Sequence, residues 1–254
     1  MTSAPTVQLA IDGRRIELLD LPGDQRAGAL VLLHEGLGCV QLWRGLPEDL
    51  QRRTGRRVIA FSRFGHGRSQ PPARPRTPQF FHDEALGVLP VLRTELELAN
   101  PVLIGHSDGG SIALVHAAHH PVAGLVLIAP HVFVEPITVA AIRQTREAFL
   151  SGPLRERLAR YHDDVEAAFW GWCDVWLDPD FETWNLEGET ARVSAPTLLI
   201  QGADDPYGTL EQLERIQVHL PGARRLVVPG GHSPHLEQRE VVLDAIAYFL
   251  TTVS

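Results

Sequence analysis

Six short apolar runs, none of them alternating, constrain this chain more than any other feature. They are ALVLLH (29–34), RVIAFS (57–62), PVLIGH (101–106), GLVLIAP (124–130), PTLLIQG (196–202) and RRLVVPG (224–230). A strand with one face in water alternates apolar and polar side chains, whereas a strand covered on both faces does not. Helical patterns lie between the runs: 83–98, interrupted by Pro90; 109–120, which stops at Pro121; 209–220; and 240–250. Proline lacks an N–H, so a kink or break is expected at Pro90. Strand and helix in alternation imply an α/β fold, a mostly parallel sheet flanked by helices on both faces. VQLAIDGRRIEL, from Val7, alternates around Asp12-Gly13 and reads as a β-hairpin with a tight turn. The 254 residues suffice for a full core.

One stretch breaks the rhythm. Residues 132–190 hold no strand-like run but carry four of the five tryptophans, Trp170, Trp172, Trp176 and Trp184. The expectation is a helical cap inserted over the C-terminal edge of the sheet, with a small core of its own. The remaining segments, 1–131 and 191–254, would form the sheet-bearing core.

The chemistry concentrates in PVLIGHSDGGSIAL, which starts at Pro101. Gly105 and Gly109 each lie two residues from Ser107. A sharp strand-to-helix turn strains its central residue and crowds its neighbours, and glycine at both flanks relieves that crowding. Such a turn lifts the Ser107 hydroxyl above the sheet edge. It also leaves the Asp108 backbone N–H at a helix N-terminus, where a developing oxyanion is stabilised. A serine hydroxyl needs a base. Of the 12 histidines, His232 in VVPGGHSPHLEQ follows the last apolar run and precedes the final helix, with His235 as competitor. His119, His120 and His219 sit near helix ends and read as surface residues. LLIQGADDPYG places Asp204 and Asp205 just beyond a strand, so the chain order is serine, acid, histidine.

Composition excludes other classes. A net charge of −8 argues against a nucleic-acid partner. Cys39 and Cys173 make no metal spacing and read as free thiols of a reducing compartment. The N-terminal stretch lacks the pattern of a signal peptide, and no apolar run reaches ~18 residues, so no membrane span is expected. These readings make the cytoplasm the expected location and leave the oligomeric state open.

The motifs LLHEGLG, FSRFGHGRS, GHSDGG, LLIQGADD and GGHSPHLEQ resemble those of the α/β-hydrolase superfamily over nearly the whole chain. The resemblance implies a serine hydrolase that needs no cofactor or metal and acts on a small molecule. Ser107 would be the nucleophile, His232 the base and Asp205 the acid, with Asp204 as runner-up. The oxyanion donors would be the N–H groups of Asp108 and of Gly36 or Leu37. That last choice stays open because Glu35 replaces the glycine that relatives carry in HEGLG. GHGRS, from Gly65, matches a loop-turning stretch of relatives. An aromatic cap suggests a small to medium apolar ester or lactone, with Glu35, His131, Phe133, Phe169, Trp170 and Trp176 as pocket candidates. Carbon–carbon bond hydrolases and acyltransferases share the triad, and a hydrolase-fold ligand receptor is a different class. Two carboxylates are unusual here. Asp108 suits the first turn of a helix, whereas the one purely structural account for Glu35 is an ion pair with an arginine such as Arg63 or Arg68. An ionised carboxylate near the base favours the imidazolium and moves the acid limb of kcat/KM to higher pH.

Overall fold

The computed structural model describes residues 5–11 and 13–253. Eight strands form one sheet: β1 (Val7–Ile11), β2 (Arg14–Leu21), β3 (Leu30–Leu33), β4 (Val58–Phe61), β5 (Val102–His106), β6 (Gly124–Ile128), β7 (Thr197–Gly202) and β8 (Arg224–Val228). Their order is β1-β2-β4-β3-β5-β6-β7-β8. All six apolar runs are strands, and all pair in parallel, with Leu32 opposite Ile104 and Ile104 opposite Val126. The N-terminal hairpin adds an antiparallel edge. Its turn residue Asp12 lies outside the described residues.

The helices are α1 (Leu46–Thr54), α2 (Phe80–His82), α3 (Leu89–Glu95), α4 (Asp108–His119), α5 (Pro136–Ser151), α6 (Leu154–Leu158), α7 (Val165–Trp176), α8 (Glu187–Thr190), α9 (Glu211–His219), α10 (Pro234–Glu237) and α11 (Arg239–Leu250). Strand side chains divide with period two into two apolar layers. Val31, Leu33 and Leu103 pack with α4 on one face. Leu30, Leu32 and Ile104 pack with α1 and α11 on the other.

Pro90 does not break its helix. A π-helical segment, Asp83–Val88, runs directly into α3, and the Leu89 N–H bonds Glu84 O, one residue further back than in an α-helix. Pro90 thus lies inside a continuous helical stretch, and the carbonyl of Ala85, five residues before it, meets His116 Nδ1 at 2.7 Å instead of a backbone N–H.

Helices α5 to α8 occupy the insertion between β6 and β7. Its two ends meet at an antiparallel bridge between Phe133 and Asn185, and the Leu186 N–H donates to Val132 O at 2.7 Å. Its interior is not separate from the core. Phe149, Phe169, Trp172, Trp176 and Phe181 belong to the same apolar cluster as Val31, Leu103 and Leu125.

Candidate active site

Ser107 sits between the end of β5 and the start of α4 with φ 52° and ψ −121°, a conformation that strains any residue with a Cβ. Its surroundings explain the paired glycines. A Cβ at Gly105 would lie 2.3 Å from Gly109 O, and one at Gly109 would lie 2.0 Å from Leu33 O. Ser107 O accepts from the N–H groups of Gly110 and Ser111, which ties the turn to the helix.

Three loops converge at this sheet edge. His232 Nε2 is 2.9 Å from Ser107 Oγ. On the far side of the ring, Nδ1 is 2.8 Å from Asp205 Oδ2. Asp205 is buried, and it also accepts from Gln201 Nε2 at 2.7 Å and from the Tyr207 N–H at 2.8 Å. Burial pushes this carboxyl up, but the hydrogen bond and charge of His232 and the Tyr207 N–H outweigh it and hold it below the usual range. Asp204 is exposed and does not reach the histidine. Asp205 therefore has the geometry expected of the acid. His235 is buried behind the site, packed between Trp43 and His106 with ring centroids 5.2 and 4.6 Å away.

A cavity of ≈ 240 Å³ opens onto Ser107 and His232. The turn at Gly36 and Leu37 borders it beside Asp108, so all three sequence-derived oxyanion candidates face one space. Glu35, His131 and Trp176 also line it. Phe133, Phe169 and Trp170 do not. Phe169 stacks on Phe149 at 3.7 Å inside the helical layer. Phe133 lies under the Arg215 guanidinium, and the Trp170 indole donates to Glu166. The wall contains instead Trp172, Tyr207, Thr138 and Ile142. Trp172 lies one helical turn before Trp176, a spacing that places both on one face and could have singled it out.

Glu35 pairs with neither arginine. The Arg63 guanidinium donates to the backbone carbonyls of His34 and Glu35, and Arg68 pairs with Asp163. Glu35 Oε2 instead lies 3.6 Å from His106 Nδ1, while His106 Nε2 donates to His232 O at 2.7 Å. Burial raises the Glu35 carboxyl, and His106 more than offsets it, leaving it below the usual range. Asp108 is the opposite case. It is 1% exposed, accepts from Trp176 Nε1 at 3.1 Å, and its Oδ2 has no partner among the described residues. Burial raises this carboxyl despite the charge of Arg63. His131, also on the wall, is pushed down by burial to about 3, so its ring is neutral. Cys39 and Cys173 are free and buried.

An open, mostly parallel sheet with serine, histidine and acid brought together at the carboxyl ends of its parallel strands defines a class of protein. The chain belongs to the α/β-hydrolase fold family, whose model matches residues 28–187, and a second model, described as TAP-like protein, matches 161–254. It is 26% identical to the sn-1-specific diacylglycerol lipase ABHD11 of Danio rerio, over 98% of this chain and 84% of that one. It is 29% identical to Serine hydrolase BPHL of Homo sapiens, over 70% of this chain and 64% of that protein. Among solved structures, the enol-lactonase from Burkholderia xenovorans superposes with a TM-score of 0.76 at 22% identity, covering 96% and 100% of the two chains, a likeness of fold. No helix among the described residues is long and apolar enough to cross a membrane.

Proposed function

We propose that the protein is a serine hydrolase that cleaves a small carboxylic ester or lactone through an acyl-enzyme. The observation that carries this reading is the unbroken hydrogen-bonded chain from Asp205 through His232 to Ser107. Ser107 Oγ attacks the carbonyl carbon while His232 Nε2 takes its proton. The tetrahedral oxyanion rests on the N–H of Asp108 and on that of Gly36 or Leu37, each donor worth roughly 3 kcal/mol. The imidazolium, held in its tautomer by Asp205, gives the proton to the leaving oxygen as the carbon–oxygen bond breaks. Water then attacks the acyl-enzyme, His232 takes a proton from it, and Ser107 leaves with that proton.

The inserted segment 132–190 acts as the cap and, through Trp172 and Trp176, sets the width of the site. A cavity of ≈ 240 Å³ suits a small substrate. Its wall is mixed rather than uniformly apolar. A buried carboxylate oxygen on Asp108 without a donor favours a substrate that brings a hydroxyl or amine there. Two buried free thiols fit a reducing compartment, which favours the cytoplasm.

The test is labelling with a fluorophosphonate together with an acyl-length series of p-nitrophenyl esters. Label should fall on Ser107, and Ser107→Ala should lose ~10⁶ in kcat with the fold intact. A Ser107→Ala protein that keeps a tenth of wild-type turnover overturns the assignment.

A further inference from the structure

The carbonyls of four consecutive residues, His34 to Leu37, each meet a side-chain donor. Arg63 Nη1 donates to His34 O and Nη2 to Glu35 O. His34 Nδ1 lies 2.7 Å from Glu35 O, His66 Nε2 lies 2.8 Å from Gly36 O, and His162 Nε2 lies 3.0 Å from Leu37 O. The opposite nitrogen of each ring faces an N–H. Arg63 N–H reaches His34 Nε2 at 3.0 Å, Arg76 Nη2 reaches His66 Nδ1 at 3.1 Å, and Gly67 N–H reaches His162 Nδ1 at 2.9 Å. An imidazole that accepts at one nitrogen and donates from the other is neutral and has one tautomer. Burial pushes all three rings below their ordinary value, which supports that state.

This frame bears on the oxyanion donors through peptide geometry. A trans peptide is planar, so a C=O and the N–H that follows it point in opposite directions. Holding Glu35 O aims the Gly36 N–H away from Arg63 and His34, and holding Gly36 O aims the Leu37 N–H away from His66. Holding Leu37 O aims the Gly38 N–H, which closes the turn on Glu35 O at 3.1 Å, so a grip on Leu37 O reaches the Gly36 and Leu37 N–H groups by fixing the turn that contains them. Gly36 and Gly38 give this turn little stiffness of its own, so its direction depends on what grips its carbonyls.

His162 differs from the other members because it comes from the inserted segment, between α6 and α7. Its neighbour Asp163 donates its N–H to Gly67 O at 2.9 Å and pairs with Arg68. The same segment presses Trp172 against the turn so closely that a Cβ at Gly36 would lie 2.2 Å from the indole. The groups around the His162 ring are His66, with centroids 5.7 Å apart, and the charged Glu17, Glu35 and Arg68. His162 is 3% exposed. Apolar packing would fill that space without fixing a direction for Leu37 O, whereas a ring matched at both nitrogens does fix one.

We propose that His162 is a positioning residue, a latch that couples the inserted helical segment to the oxyanion turn, so that the turn's N–H groups are aimed at the nucleophile while that segment is seated. The inference rests on the serine-hydrolase reading of the site. It gives the GHGRS stretch a role beyond turning the loop, since His66 grips Gly36 O and Gly67 anchors His162.

The experiment uses the full chain with His162→Phe, which fills the space without donors, and His162→Gln, which keeps a donor for Leu37 O. A trifluoromethyl ketone inhibitor reads the oxyanion site directly, because its adduct with Ser107 carries the negative oxygen. His162→Phe should lower kcat 10- to 100-fold with KM within about threefold, and should weaken the ketone by the factor lost in kcat/KM. His162→Gln should recover part of both. A folded His162→Phe with kcat within twofold of wild type, or a loss confined to KM with the ketone unaffected, overturns the latch. Should His162→Phe fail to fold, two readouts remain: His162→Gln and the ¹⁵N spectrum of the wild-type ring. That ring should be the neutral Nε2–H tautomer at pH 7, and an imidazolium or Nδ1–H form overturns the proposal. Wild-type protein that neither turns over esters nor takes the phosphonate overturns the hydrolase reading instead, and the ring tautomer still decides the grip on Leu37 O.

Discussion

Two buried carboxylates border the same histidine, one in the loop after β7 and one in the first turn of α4, and their surroundings push them in opposite directions. Asp205 accepts from three donors, His232 Nδ1, Gln201 Nε2 and the Tyr207 N–H. Those donors outweigh its burial and keep it ionised. Asp108 is buried more deeply, and it has one indole donor and an oxygen with no partner among the described residues. Burial wins there, and the proton is held more tightly. The difference lies in the number of matched donors together with the greater depth of Asp108. A fully matched carboxylate is a fixed part of the machinery, whereas a half-matched one is left to a substrate donor or a proton.

The largest effect that could break this comparison is on turnover. Asp205→Asn should cost roughly 10⁴ in kcat, because the amide presents the wrong histidine tautomer. Asp204→Asn should stay within a few-fold, since that side chain is exposed. Steady-state kinetics of the two variants on one ester decides it, and the reverse ranking moves the acid.

Stability sharpens the comparison because the signs differ. Asp205 has its folded pKa below the unfolded one, so its contribution is present above the unfolded value of ~3.9 and is lost as pH falls through the folded value. Asp205→Asn should therefore lower Tm at pH 7, by roughly 5 °C for a lost charge-assisted hydrogen bond, with the gap closing only as pH falls below the unfolded value. Asp108 has its folded pKa above the unfolded one. Its burial costs stability at pH above the folded value and costs nothing below the unfolded value. Asp108→Asn should raise Tm by roughly 2 °C at neutral pH, and the gain should vanish in acid. Melting curves from about pH 2 to 8 that fall in parallel for both variants would mean that the two carboxylates are equally satisfied.

Trp176→Phe removes the indole that donates to Asp108. It should destabilise by about 1–3 kcal/mol at neutral pH and by progressively less as acid protonates the carboxyl. A loss that does not vary with pH would trace to packing alone. The smallest effect concerns Glu35, ionised beside His106. Glu35→Gln removes a negative charge near the base, so the acid limb of kcat/KM should move to lower pH by roughly half a unit. Coincident limbs in wild type and variant would show that this carboxylate does not act on the base.

The strands and the serine turn were legible in the chain because their determinants are local. A non-alternating apolar run marks a strand wherever it falls, although β8, expected to be covered on both faces, is left mostly exposed because it lies at the sheet edge, and Gly105 and Gly109 report crowding only two residues away from Ser107. His232 was legible for a related reason, its place directly after the last strand. The choice between Asp204 and Asp205 was narrower, since both follow the same strand. It took the burial of one and the exposure of the other to separate them.

The pocket wall was less legible. Helix α7 carries Phe169, Trp170, Trp172 and Trp176, so its apolar pattern does not say which face meets the cavity. Packing against Phe149 takes Phe169 inward and leaves Trp172 and Trp176 to the site. His106, His66 and His162 gave no local signal at all. Each acts on a carbonyl distant in sequence, His162 on one 125 residues away. The sequence by itself determined the sheet, its direction and the strained serine at its edge, because backbone sterics and burial periodicity act within a few residues. Tertiary structure decided which carboxylate keeps its charge, which aromatics see the substrate and what grips the oxyanion turn, because those outcomes depend on donors and packing surfaces that only folding brings within about 3 Å of one another.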